Sequence, residues 1–325
     1  LSKRDFLFIL SQNYHLHNFY LFIVPLFYKI SPFTSYTFAS LISVFCWFVS
    51  VLFCLDIMKM IRVKKTSIYF GLVLLCFWPS LILFTSAVSR EAFQIMLICA
   101  SIFLTVKILY YKKIVHFLIL IFCSIILSLF HKAFFFFALW NLLIAFIPLV
   151  SNFITLKIKL ISSLIIILIL FILIQNYNDF GYKQFAKGLP IAVEIYQNGL
   201  LINSNSRADM RTYPISVYNY TDLLVFIFIA TYDYFVQPFF SKIISIGDLL
   251  AFVENYLRIF FIFTGMILFF RIRSLTNLKY TSYLFLTFCF IEIVWALGTS
   301  NWGTALRHHT TAIPILILFF VSFFK

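Results

Sequence analysis

Long apolar blocks separated by short polar segments make up most of this chain. A block of about 18 or more apolar residues is long enough to cross the hydrocarbon core of a bilayer as an α-helix. The clearest predicted spans cover residues 36–57, 68–88, 92–110, 114–130, 133–150, 160–176, 249–270, 280–298 and 309–324. The pattern therefore predicts an all-α fold, a polytopic transmembrane helical bundle of about 9–11 spans.

Two apolar segments do not fit a simple crossing. Residues 6–30 are interrupted by asparagine and histidine between positions 13 and 18, which indicates an interfacial helix or a span with a polar core. Residues 223–240 cannot cross once, because the polar segment before them and the start of the span after them must lie on the same face. We interpret residues 223–240 as a re-entrant or interfacial helix, since irregular backbone at membrane depth is tolerated only against protein or water.

One long polar segment, residues 177–222, lies between the two groups of spans. Loops longer than about 12–15 residues in compact domains are usually functional. We therefore expect a single integral membrane domain over residues 1–325, in which residues 177–222 form an extracytoplasmic loop.

The placement of positive charge orients the predicted bundle. Short loops rich in lysine and arginine mark the cytoplasmic side of a membrane protein. Such loops contain Lys59, Arg62, Lys64 and Lys65; Lys107, Lys112 and Lys113; Lys157 and Lys159; and Arg271, Arg273 and Lys279. Alternating the spans between these loops places all of them on one face. The opposite face then receives residues 89–91, 131–132, 177–222 and 298–309.

Composition supports the membrane assignment and excludes several other classes. Hydrophobic residues make up 63% of the 325 residues and charged residues only 11%, whereas soluble domains carry about 45–50% apolar and about 25% charged residues. The net charge of +14 is scattered between spans, so we attribute it to the bilayer and expect no nucleic-acid partner. All six cysteines lie in apolar blocks without a C-x-x-C pair, and no Walker, zinc or G-x-S-x-G motif is present, so we expect no metal site and no cofactor.

Arginine is concentrated in the predicted outer half of the bundle. Five of the nine arginines lie there: Arg90, Arg207, Arg211, Arg258 and Arg307. A guanidinium group matches phosphate oxygens two at a time, whereas a lysine is a point charge. The arginines could also extend to lipid headgroups without a further function. The cluster favours a diphosphate bound at the outer membrane surface, with Arg90, Arg207, Arg211 and Arg307 as its ligands.

Two charged pairs near the outer helix ends are candidates for function. Arg90-Glu91 lies at a tight turn, where the glutamate either caps a helix or belongs to a site. Glu254 and Arg258 are four residues apart and so share one helix face, either as an intrahelical ion pair or as functional charges inside the membrane. Glu292 lies within another span, and the sequence indicates no partner for it.

The segment 301–309, NWGTALRHH, is the densest polar group beside a span. Arg307 opens the last predicted helix, and a helix N-terminus adds backbone N–H donors that favour an anion. His308 or His309 could accept a proton, because an imidazole titrates near neutral pH. His131 closes another outer turn and could join the same site.

Three segments follow motifs that occur together in one family. Residues 77–93, FWPSLILFTSAVSREAF, follow the pattern P-S-x5-S-x3-[RK]-[ED]. Gln237-Pro238-Phe239 precedes the membrane residue Glu254, and residues 301–308, NWGTALRH, follow the pattern N-x-G-T-A-x-R-H. Over about residues 70–320, the chain resembles the bacterial oligosaccharide repeat unit polymerases, the Wzy-type (EpsG-like) O-antigen and exopolysaccharide polymerases.

The resemblance implies a fold similar to membrane glycosyltransferases with lipid-linked donors, and it implies a reaction. Such enzymes take two undecaprenyl-diphosphate-linked oligosaccharides at the periplasmic face of the inner membrane. They transfer the growing glycan to the non-reducing end of the incoming unit and release undecaprenyl diphosphate. The resemblance also implies that arginines rather than a metal stabilise the leaving group, and that a chain-length regulator protein is a partner.

The residues themselves suggest roles in that reaction. Stabilising charge where it develops is usually the largest catalytic contribution, and we expect Arg307 to be the foremost diphosphate ligand. The candidates for the base that accepts the proton of the acceptor hydroxyl are Glu254, Glu91 and His308. The tyrosines that could stack on sugar rings, or belong to an interfacial aromatic belt, are Tyr213, Tyr218 and Tyr220.

Two other functions fit parts of the pattern. An O-antigen ligase would use the same donor but transfer the glycan to lipid A core. A transporter or flippase would move the lipid-linked unit without forming a bond, and it would be expected to carry charges deep within its spans along a path.

Overall fold

Helices account for nearly all of the chain that the computed structural model describes, which is residues 36–87, 89–131, 133–150, 188–203, 208–211, 214–271 and 275–324. In chain order the helices are α1 (Tyr36–Met60), α2 (Lys65–Phe77), α3 (Pro79–Ser86), α4 (Arg90–Tyr111), α5 (Ile114–Phe130), α6 (Ala133–Val150), α7 (Leu189–Asn203), α8 (Tyr220–Val236), α9 (Ile246–Phe269), α10 (Leu275–Gly298) and α11 (Trp302–Val321). A short 3-10 turn, Phe240–Lys242, joins α8 to α9. No strand occurs in these described ranges, and the only β pairing within them is an isolated bridge between Asp209 and Asn301.

Five of these helices, α1, α4, α9, α10 and α11, are long and apolar enough to cross a membrane. The bent pair α2 and α3 could supply a sixth span, and α5 and α6 are shorter apolar helices. The described chain is therefore a polytopic helical membrane protein, as the sequence predicts. The last helix begins at Trp302, seven residues before the predicted start. The predicted span at 160–176 and the segment 6–30 lie outside the described residues.

The predicted span at 68–88 is two helices that meet at an angle of 55°. Trp78, between them, has an extended conformation with ψ of 121°. Pro79 explains the break, because proline lacks an N–H and disfavours the helical conformation in the residue before it. Proline is favourable at the first position of the new helix, α3, where that N–H would be unpaired.

Helices α4 and α11 form the centre of the bundle. α4 packs against α1, α5 and α6, whereas α11 packs against α9 and α10, and the two central helices contact each other. α9 and α11 approach closely at Gly265, where an added Cβ would lie 2.5 Å from Cε1 of Phe319. Large apolar side chains on the outward faces of α1 and α9, such as Phe45 and Phe263, are exposed. That arrangement is expected where lipid rather than water surrounds the bundle.

The two ends of the bundle differ in charge. At one end, the Lys64 backbone N–H donates to the carbonyl of Phe324 at 2.9 Å, and Lys279 Nζ donates to the carbonyl of Leu109 at 2.9 Å. Three of the four loops that were predicted to be cytoplasmic therefore meet there, namely those with Lys64, Lys112 and Lys279. The fourth, with Lys157 and Lys159, lies outside the described residues. α4 has 22 residues and is about 33 Å long at 1.5 Å per residue. Its first residue, Arg90, consequently lies at the opposite end.

The predicted extracytoplasmic loop contains regular structure in its described part. α7 spans Leu189–Asn203, and α8 already begins at Tyr220. The side-chain amide of Asn198 in α7 makes two hydrogen bonds of 2.9 Å to the backbone of Ile215. Its nitrogen donates to the Ile215 carbonyl, and its oxygen accepts from the Ile215 N–H. The assignment of this segment to the extracytoplasmic side stays a prediction.

Helix α8 covers most of the segment that was predicted to be re-entrant or interfacial. It enters the bundle and the chain then returns to the same end. Its first turns pack near Leu297, at the end of α10. Its last turn lies deeper, where the Tyr234 ring is 3.9 Å from the His309 ring. The chain then returns, because Lys242 lies over Trp302 at the start of α11. This path is what a re-entrant helix requires, and the re-entrant or interfacial assignment itself stays a prediction.

Candidate functional site

Arg90, Glu91 and Arg307 lie together where α4 and α11 begin. Oε1 of Glu91 is 3.5 Å from Nε of Arg90 and 3.3 Å from Nε of Arg307. The Glu91 side chain is 4% exposed, whereas the side chains of Arg90 and Arg307 are 36% and 48% exposed. One covered carboxylate therefore holds two accessible guanidinium groups, and the three side chains together carry a net charge of +1.

The start of α11 determines where Arg307 lies. Asn301 is its N-cap, and the side-chain oxygen accepts from the N–H groups of Gly303 at 2.8 Å and Thr304 at 3.3 Å. Asn301 is itself bridged to Asp209 of the segment before α8. The sequence suggested that free N–H groups would help to bind an anion here. Two of them are already occupied by the cap, which leaves the guanidinium group of Arg307 as the stronger candidate to bind an anion at this helix start.

His308 follows Arg307 in α11, but its side chain contacts α10 and the turn after it rather than Glu91. Its Nδ1 is 2.7 Å from the hydroxyl of Thr299, and its ring stacks on Trp295 with centroids 3.9 Å apart. The His131 ring is 6.1 Å from the His308 ring. The structure thus brings His131 to the site, as the sequence suggested that it could.

Glu254 has a position that sequence reasoning missed. Its Oε2 accepts from Nε1 of Trp78 at 2.9 Å, and its Oε1 accepts from the N–H of Ser80 at 2.6 Å. The carboxylate therefore caps α3, whose own N-cap residue makes no side-chain cap bond. Within the described chain, Glu254 forms no ion pair within 4 Å of Arg258, although both are completely buried on the same side of α9. Two of the three segments that carry the family resemblance thus meet directly.

Glu292 has a partner, which the sequence did not indicate. Its Oε2 is 2.8 Å from Nδ1 of His309, and Nε2 of His309 donates to the carbonyl of Tyr234 at 3.1 Å. α10 and α11 form an antiparallel hairpin, in which residue 292 lies seven residues before the turn at 299–301 and residue 309 lies eight residues after it. That near symmetry is the signal that could have identified the pair.

The remaining predicted site residues are placed differently. Nε of Arg211 is 3.8 Å from Oδ2 of Asp233, and its guanidinium group lies over the Phe226 ring at 4.8 Å. Arg211 is buried against α8, whereas the arginine pair of α4 and α11 is accessible. Tyr218 and Tyr220 are exposed around the start of α8. Arg207 and Tyr213 lie outside the described residues, and every functional role assigned to these five residues stays a prediction.

Comparison of the chain with protein-family models, with curated proteins and with solved structures gave no match.

Proposed function

We propose that this protein is a membrane glycosyltransferase that polymerises undecaprenyl-diphosphate-linked oligosaccharide repeat units into O-antigen or a related surface polysaccharide. The observation that carries the proposal is the accessible pair Arg90 and Arg307, held on the buried carboxylate of Glu91. The pair lies at the end of the bundle opposite the lysine-rich loops. In the proposed orientation that end faces the periplasm and the protein lies in the bacterial inner membrane.

The arginine pair suits a diphosphate leaving group. As the bond from the sugar to the diphosphate breaks, the leaving group carries about two to three negative charges, and donors already in position stabilise that charge without reorganising. Guanidinium groups bind phosphate oxygens in a bidentate manner. Glu91 holds both arginines before the substrate arrives, so little side-chain freedom remains to be lost on binding.

The bonds formed and broken in the glycan transfer, and the proton released, can be accounted for without a cofactor. A hydroxyl at the non-reducing end of the acceptor attacks the anomeric carbon of the donor glycan, and the new glycosidic C–O bond replaces the C–O bond to the diphosphate. Undecaprenyl diphosphate leaves, and a base takes the hydroxyl proton. In the tautomer in which Nδ1 of His308 donates to the hydroxyl of Thr299, Nε2 carries the lone pair that accepts that proton. Glu91 and Glu254 already accept from other groups, so we assign the base to His308.

The proposal is tested in a deletion strain that carries Arg307→Ala. We expect core with one repeat unit and no ladder on silver-stained lipopolysaccharide or on the equivalent capsule gel. The matched control is Arg271→Ala, an exposed arginine beyond α9 at the opposite end, which should give a normal ladder. A normal ladder from Arg307→Ala at normal protein level would exclude Arg307 from the mechanism.

The same strains separate the polymerase from a ligase. A polymerase defect leaves a lipid-linked pool arrested at one repeat unit, whereas a ligase defect leaves lipid-linked glycans of wild-type length. A long lipid-linked pool in the Arg307→Ala strain would therefore favour the O-antigen ligase. For the polymerase, a chain-length regulator protein is the expected partner.

One observation favours a second candidate, a transporter of the lipid-linked unit. Arg258, Glu292 and His309 are completely or almost completely buried within α9, α10 and α11, and charges deep within spans mark transport paths in other membrane proteins. A transport defect would trap the lipid-linked units on the cytoplasmic face. The test is a strain that carries Glu292→Gln, which removes one of these buried charges. Units that a membrane-impermeant reagent can reach from outside spheroplasts of that strain would contradict this alternative.

A further inference from the structure

Three completely buried side chains at the last turn of α8 carry polar atoms that have no hydrogen-bond partner in the described part of the chain. These atoms are Nε and Nη1 of Arg258, the hydroxyl oxygen of Tyr234 and Oε1 of Glu292. None of the three residues is more than 1% exposed. They come from α9, α8 and α10, so the unpaired atoms collect at a junction of helices.

The rest of this cluster is paired by protein. Nη2 of Arg258 donates to the side-chain oxygen of Asn255, and Oε2 of Glu292 is bonded to His309. Arg258 is close enough to interact electrostatically with Glu292 and Tyr234, yet no direct ion pair joins Arg258 to Glu292 within 4 Å in the described chain. The unpaired atoms of Arg258 and Glu292 therefore lie more than 4 Å apart, across a gap that is still within the range of their electrostatic interaction.

The chemistry of the unpaired atoms selects what can fill that gap. Arg258 presents two donors, Glu292 presents an acceptor, and the Tyr234 hydroxyl can donate or accept. A cation would be repelled by the guanidinium group, and an anion would be repelled by the carboxylate. Water both donates and accepts, and buried water in proteins typically makes about three hydrogen bonds to such groups.

The depth of the cluster in the bundle means that its polar groups need hydrogen-bond partners there. Lipid cannot hydrogen-bond the polar groups of a helix that ends inside a bundle. The last carbonyls of α8 are held by side chains of other helices, since His309 donates to Tyr234 and Asn255 donates to Gln237. Those two donors belong to the same cluster as Arg258. The cluster therefore has a structural task, which is to hold the end of α8 at depth.

We propose that one or a few ordered water molecules bind between Arg258, Glu292 and Tyr234 and complete a hydrogen-bonded network that joins α8, α9, α10 and α11. Buried polar groups in proteins are almost always partnered, and a polar contact too long to be direct is where a bridging water is expected. The waters act as a structural ligand of the end of α8. This inference does not depend on the proposed glycan transfer.

The inference is tested by X-ray hydroxyl-radical labelling of the purified full-length protein in detergent. Radiolysis activates waters bound inside a protein, so a buried side chain beside such a water is oxidised while a dry one is not. We expect Tyr234 to be modified several-fold faster than Tyr283. Tyr283 is a matched control, because it is also buried but its hydroxyl is bonded to Asn141.

Variants of Glu292 keep the inference falsifiable. Glu292→Gln retains an acceptor and should keep the labelling of Tyr234, whereas Glu292→Leu should reduce it to the rate of Tyr283. Gel filtration and circular dichroism identify variants that have lost their fold, and wild-type labelling is decisive if Glu292→Leu does not fold. Equal labelling of Tyr234 and Tyr283 in the wild-type protein would overturn the proposal. Replacement of chloride by nitrate should change neither rate, and a marked change would instead assign the site to an anion.

Discussion

Glu254 illustrates how a single residue can have contacts that its sequence context does not suggest. A carboxylate inside a span that resembles a family glutamate is a natural candidate for a base. In the structure, both of its oxygens accept hydrogen bonds from the start of α3, one from Trp78 and one from Ser80. α3 leads directly to Ser89 and the Arg90 pair, so we expect Glu254 to position the site rather than to take a proton.

We expect Glu254→Gln to reduce polymer length while leaving the pH dependence of activity unchanged, because the substitution disturbs a helix cap and removes no base. The glutamine amide can replace only one of the two carboxylate acceptors, so the free energy of unfolding should fall by about 1–3 kcal/mol. Gel ladders formed at several pH values and thermal unfolding in detergent measure both effects.

The control is Trp78→Phe, which removes the other side of the same contact. If Glu254 acts through Trp78, the loss of stability in the double variant, Trp78→Phe with Glu254→Gln, should be clearly smaller than the sum of the losses in the two single variants. Loss of one limb of the pH profile in Glu254→Gln alone would instead establish Glu254 as the base.

At the scale of elements, close helix packing depends on small residues. α9 and α11 are both membrane-spanning candidates, and helices in lipid associate through packing rather than through the hydrophobic effect. Gly265 of α9 lies against the completely buried ring of Phe319 in α11. This contact sets the separation of the two helices that carry Glu254 and Arg307.

Gly265→Ala should destabilise the protein by about 1–3 kcal/mol, because the new methyl group would lie within 2.5 Å of a ring atom that has no free space to move into. Thermal unfolding in detergent measures the change. Gly199→Ala in α7 is the matched control, since an added Cβ there meets no atom within 4 Å and alanine is the better helix former. Equal effects of the two substitutions would contradict the packing argument.

At the scale of the whole molecule, the separation of charge distinguishes the two ends of the bundle. The lysine-rich loops meet at one end, and Arg90, Glu91, His131, Arg307 and His308 meet at the other. A lipid-linked substrate must reach that second end from outside for the proposed polymerisation, and the distribution of positive charge predicts this orientation.

We expect a cysteine placed at the exposed position of Tyr218 to react with a membrane-impermeant maleimide from the periplasmic side of intact cells. A cysteine placed at Lys113, beside the lysine-rich end, should react only after the membrane is permeabilised. The parent protein provides the background, because its own cysteines lie in apolar helices. The reverse pattern would invert the topology and remove the proposed function with it.

The sequence by itself determined the helical membrane fold, the approximate bounds of most described helices and the end at which the lysine-rich loops of the described chain meet. These properties follow from local hydrophobicity and from loop charge, which add up along the chain without reference to contacts. The break before Pro79, where two helices meet at 55°, was not predicted.

Only the tertiary structure decided which charges meet. Glu254 lies 174 residues from Ser80 along the chain, and Arg211 contacts Asp233 rather than the arginine pair of α4 and α11. Such contacts depend on how each helix is rotated about its axis and on which helices pack together. Hydropathy constrains the depth of a residue in the membrane but not its direction within the bundle, so the assembled site could be read only from the packed helices.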